Sequence, residues 1–199
     1  MVASEVEAEA SEEAVVGLAA EVRPVAGDEQ GTAWQKLRRI WRHRLASDRQ
    51  VAATFDDAAL ARIETAIAEG ERRHRGEVRF AVEAELDLYS LWAGMTPRER
   101  ALQVFSEQGI WDTEENTGVL IYLLWADHAV EIIADRAANR CLPSEGWQEI
   151  CAAMAQASRE GRHVEGVVTA IHAVSGALSA AVPAREEDRD ELPNRSMLL

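Results

Sequence analysis

Cysteine, proline, aromatic residues and positive charge are all scarce in this chain, and it has no long unbroken apolar run. Its two cysteines, Cys141 and Cys151, lie ten positions apart with no CxxC and no histidine pair nearby. Neither a zinc cluster nor a dithiol redox motif can be built from that set, so both thiols read as packing groups. No stretch reaches the roughly eighteen consecutive apolar residues of a membrane span, and the N-terminus lacks the basic segment and apolar core of a secretion signal. A cytoplasmic location is the resulting expectation. The 21 Lys and Arg against 35 Asp and Glu leave a net charge of −14. A surface of that sign repels phosphate backbones and argues against nucleic acid as a partner.

What is present suffices for one core: 199 residues, 47% of them hydrophobic, are short for two full domains. The charge is unevenly spread. Residues 1–31 hold eight acids against Arg23 alone, whereas residues 32–46 hold five Lys or Arg and no acid. The first segment has too few large apolar groups to bury and reads as an acidic disordered tail. The second lies within an expected helix over residues 32–50, where Trp34, Leu37, Trp41 and Leu45 make a helical stripe and Lys36, Arg38, Arg39, Arg42 and Arg44 occupy the rest of the circumference. Two readings stay open. Tryptophan anchors with basic flanks suit an anionic membrane surface or a protein partner, with Trp34, Lys36, Arg38, Arg39, Trp41 and Arg42 as contacts; alternatively the stripe packs on the domain.

Further along, Leu60, Ile63 and Ile67 predict a helix over 56–73 capped by Asp56 or Asp57. Beyond Gly76, Val78, Phe80 and Val82 alternate with Arg79, Ala81 and Glu83, which predicts a half-exposed strand ending in the acids Glu83, Glu85 and Asp87. Thr96, Pro97 and Glu99 form a capping box opening a helix that stops at Gly109. The runs Gly118–Trp125 and Ala129–Ala134, joined by Ala126, Asp127 and His128, are two strands close enough to pair only antiparallel. Ser144 is expected to cap a helix that contains Trp147, Ile150, Cys151 and Met154 and is ended by Gly161, and a last helix runs from about Val164 to Ala181. Residues 51–183 form the expected domain, and residues 184–199 an acidic tail.

This order of elements, with HRGEVRF, PRERALQVF, WDTEENTGVLIYLLWAD, VEIIADR and EGWQEICAAM, resembles the TPM domain family over Phe55 to Pro183, in its bacterial branch without a signal peptide. The resemblance implies an α/β fold: a three-layer α/β/α sandwich around a small mixed β-sheet, here preceded by the amphipathic helix. It also implies kinds of function, since members include accessory factors for assembly or repair of membrane complexes, weak acid phosphatases, and proteins that bind calcium near the loop before the hairpin. Two positions depart from the branch's pattern. Thr117 stands in Asn116-Thr117-Gly118 where NNG is usual, and Ala137 follows Arg136 where ADRG is usual. The missing glycine removes easy access to positive φ and predicts a reshaped loop after the second strand.

For chemistry, Asp112, Glu115 and Asn116 before the hairpin and Asp135 at its end are the candidate ligands of calcium or magnesium, because the hairpin returns Asp135 toward Asn116. The spacing is not an EF-hand. A phosphatase needs a nucleophile or a metal-activated water with cationic groups, and no cysteine loop, aspartate pair or triad stands out. His74, between Arg73 and Arg75, precedes a strand rather than following it. The leading functional expectation is a non-catalytic adaptor or assembly- and repair-type accessory protein with a protein partner, peripheral to the inner membrane through residues 32–46. The alternative is a weak divalent-metal-dependent acid-phosphatase-like enzyme.

Overall fold

The two apolar runs of the hairpin become β2 (Val119–Leu124) and β3 (Ala129–Ala134), antiparallel, with Val119 opposite Ala134 and Leu124 opposite Ala129. In the computed structural model, which describes residues 33–185 and 196–199, β1 (Val78–Glu83) lies parallel to β2 with Val78 beside Val119. The acidic tail expected over residues 1–31 lies outside the described residues. β1 differs from its expectation: every residue is buried, Arg79 and Glu83 included. Alternation in the sequence marks two chemically different buried faces here, because helices cover both sides of the sheet.

One face carries Phe80, Val82, Ile121, Leu123 and Ile132 against α2 (Asp48–Thr54), α3 (Asp57–Glu71), α7 (Ser144–Arg159) and α8 (His163–Ala181). The other carries Ala81, Leu120, Tyr122 and Leu124 against α4 (Leu88–Ala93) and α5 (Pro97–Glu107). The fold is therefore a three-layer α/β/α sandwich around a mixed sheet. The remaining helices are α1 (Ala33–Leu45) and the short α6 (Arg136–Asn139).

Local signals act as written for most of these elements. Asp56 accepts the Ala59 amide at the start of α3, and Thr96 and Glu99 close the capping box of α5. α7 differs: Pro143 stands at the cap position and Ser144 makes no capping bond. Gly118 has a packing reason, since a Cβ there would lie 2.0 Å from the Ile110 carbonyl oxygen.

Two further features concern the C-terminal part of the chain. Within the stretch expected as an acidic tail, Met197–Leu198 form β4, parallel to β1 at Ala81 and Val82, giving the strand order β3-β2-β1-β4. Short-range composition marked 184–199 as acidic and mobile, but an open sheet edge recruits the apolar end of the chain. α8 also has the length and apolarity to cross a membrane. Its Val167, Ile171, Val174 and Leu178 are fully buried at helical spacing in the core against α3 and α7.

Candidate functional site

At the base of the hairpin the structure brings part of the expected cation set together and disperses the rest. Asn116, at φ 55°, turns its carbonyl toward α6 and accepts the amides of Ala137 at 2.9 Å and Ala138 at 3.4 Å. Asp135 arrives beside it, as the hairpin geometry predicts. Its carboxylate, however, accepts the Arg136 amide and starts α6. Ala137 thus sits in a helical turn with no need of positive φ, which is how the loop absorbs the missing glycine. Thr117 is buried; its hydroxyl donates to the Arg75 carbonyl and its amide donates to the Thr113 hydroxyl.

Glu115 is claimed by arginines: it pairs with Arg75 and, at 3.4 Å, with Arg185. Asp112 is exposed. Among the described residues, no three His, Cys, Asp or Glu side chains are placed to hold a metal ion together. Of the expected set, one Asp135 oxygen serves a helix cap, one Glu115 oxygen serves ion pairs and the Asn116 carbonyl accepts from α6, while Asp112 stands exposed.

His74 lies just ahead of β1. It is buried, with Nδ1 accepting the Gly76 amide at 3.2 Å, and burial, aided by Arg73, lowers its pKa to about 4. It is a neutral packing histidine at physiological pH. Of the acids ending β1, Glu83 is buried, accepting from Arg100 Nε at 2.9 Å and from the Tyr122 hydroxyl at 2.5 Å. Burial first, then the Glu83 charge, pushes the Tyr122 phenol far above its ordinary range, and the contacts of Glu83 with Arg100 and Tyr122 tie α5 to the sheet. Asp87 caps α4 and Glu85 faces solvent.

The other end of the hairpin holds a feature that local reading missed. Asp127, in the β2–β3 turn, is 8% exposed and gathers Arg39 Nη2 at 2.8 Å, Arg42 Nη2 at 2.7 Å and His43 Nε2 at 3.3 Å from α1. His43 is fully buried, and its Nδ1 accepts the Leu86 amide at 2.9 Å. With Nδ1 an acceptor, the neutral ring carries its proton on Nε2, directed at Asp127. Burial by itself would raise the Asp127 carboxyl. Hydrogen bonds from His43 and Arg39 and the Arg39 charge outweigh it and hold the pKa at about 2.

This clasp decides which way α1 faces. Arg39, Ile40 and His43 turn inward, with Ile40 packed against the α4–α5 core. At about 100° per residue, Trp34, Leu37, Trp41 and Leu45 fall on the opposite side, and they are 80%, 46%, 66% and 71% exposed. Of the six expected contact residues, Trp34, Lys36, Arg38 and Trp41 face solvent; Arg39 is turned inward, and Arg42 is held by Asp127 while remaining half in solvent. A carboxylate 88 positions away set this choice, a distance no local pattern spans.

Compared with known proteins, the chain matches the family model described as the TPM domain over residues 49–177. The NMR structure of the BA42 protein from the psychrophilic bacterium Bizionia argentinensis is similar to it, at 26% identity and a TM-score of 0.64, covering 71% of this chain and 93% of that one. No curated protein matches.

Proposed function

The chain belongs to the TPM domain family, and from that premise we propose that it is a non-catalytic accessory protein of the assembly or repair type, which meets a protein partner at an anionic membrane surface through α1. The observation that carries this reading is the orientation of α1. A helix with no acidic residue, on a chain of net charge −14, is fixed to the domain by one face and offers two tryptophans and two leucines on the other. Soluble surfaces seldom leave such a stripe uncovered. Arg38 and Arg44 flank the stripe on its two sides at helical spacing, a composition suited to the headgroup boundary of anionic lipid. At the base of the hairpin Asp135 caps α6 and Glu115 pairs with Arg75, which favours this reading over the phosphatase-like one.

Flotation with vesicles containing phosphatidylglycerol tests the reading. Wild type is expected to float and Trp34→Ala/Trp41→Ala to remain behind. Absence of flotation by wild type, or equal flotation by the variant, refutes a membrane role for α1.

A further inference from the structure

The exposed apolar surface does not end with α1. α4 is a six-residue helix whose Ser90 and Leu91 point into the core, while Leu88, Tyr89 and Trp92 are 56%, 84% and 77% exposed. Positions 88, 89 and 92 share one side of a helix. α4 packs against α1, and the two meet over shared ground: Ile40 and Leu91 belong to the same core cluster, and His43 binds the amide of Leu86 just before α4. Both helices thus turn their polar or core-facing sides to the domain and their aromatic sides away from it.

Resting on the membrane reading of α1, we infer that Leu88, Tyr89 and Trp92 form a second lipid-inserting element, so that α1 and α4 dock together on an anionic bilayer surface. The composition favours this occupant. Trp34, Trp41, Trp92 and Tyr89 are the residue types that settle at the headgroup level, with an apolar ring on the lipid side and a polar edge in water. The neighbouring charge is basic on α1 and absent from α4 itself, whose sequence is LYSLWA, with the acids Glu85 and Asp87 just ahead of it and Asp87 engaged as its cap. The net charge of −14 over the whole chain repels anionic lipid, so the bound orientation must bring the basic helix to the surface, and the aromatic face of α4 accompanies it. Two elements fixed to one domain also insert without the ordering cost that a free amphipathic segment meets on binding.

The test uses the full chain and vesicles of mixed phosphatidylglycerol and phosphatidylcholine. Leu88→Ser/Tyr89→Ser/Trp92→Ser is expected to weaken vesicle binding about tenfold or more, with an unchanged far-ultraviolet circular dichroism spectrum because all three side chains are exposed. In a second measurement, brominated lipid quenches wild-type tryptophan fluorescence, and Trp92→Phe loses part of that quenching. If wild type binds, Trp34→Ala/Trp41→Ala fails to bind, and the α4 variant binds as wild type with undiminished quenching in Trp92→Phe, the α4 inference is overturned while the role of α1 stands. If wild type binds no vesicle, both fail and the surface belongs to a protein. Equal binding to pure phosphatidylcholine overturns the requirement for anionic lipid.

Discussion

Replacing Asp127 by Asn keeps the shape of the hairpin turn and removes the charge that Arg39, Arg42 and His43 converge upon. The native environment lowers this carboxyl from 3.8 to about 2, and at about 1.36 kcal/mol per pH unit that preference for the ionised form is worth ~2.5 kcal/mol. Asp127 is 8% exposed, so solvent screening removes little of it. Arg42, half in solvent, contributes least. The loss falls on the docking of α1, because the sheet and its two cores have their own apolar burial. Hydrogen exchange at pH 7 is therefore expected to show α1 amides losing protection roughly 70-fold, with β2 unchanged. The pH dependence supplies a second arm. A carboxyl whose folded pKa is depressed contributes its full stabilisation above about 4, and loses it as pH falls through about 2. Wild type should show that acid loss of α1 docking, and Asp127→Asn should lack it. Protection of α1 within twofold of wild type at pH 7, or the same acid step in both proteins, refutes the clasp as the force that orients α1.

His74 is expected to give a loss of the same sign at milder acidity. Its pKa of about 4 against an ordinary 6.5 means that only the unfolded chain takes up the proton between those values, so stability is full above 6.5 and falls by about 3 kcal/mol as pH drops to 4. Urea midpoints across that range should decline in wild type and lose this component in His74→Asn; identical slopes would contradict the burial assigned to the ring. At the base of the hairpin, millimolar calcium or magnesium is expected to move the thermal midpoint by less than about 1 °C, since ligand binding stabilises only where a native site exists. A rise of several degrees would show that Glu115 leaves Arg75 and Asp135 leaves its cap to form one.

Legibility in the sequence followed the range of the interaction. The hairpin, the α5 capping box, the Asp56 cap and the extent of α8 were readable because each depends on residues within a turn or two of one another. β1 was read correctly in place and wrongly in exposure. Glu83 looks solvent-facing until Arg100 and Tyr122, remote in sequence, are brought to it. The cation set shows the same dependence on range: Asp112, Glu115, Asn116 and Asp135 have suitable oxygens, and Arg75, Arg185 and the amides of α6, which spacing alone does not reveal, reach those of Glu115, Asn116 and Asp135. The exposed face of α4 had no local signal, because in a helix of six residues too few positions exist for a stripe to be seen.

By itself, the sequence determined the layered α/β architecture, the family, and the presence of a basic tryptophan-bearing helix ahead of the domain, since hydrophobic periodicity and capping residues are properties of neighbouring positions. Only the tertiary structure decided which face of that helix is turned outward. The inward face is chosen by Asp127, Leu86 and the α4–α5 core. A buried carboxylate that must keep its charge holds the nearest cations, and the tryptophans on the other side are left to meet whatever the protein binds.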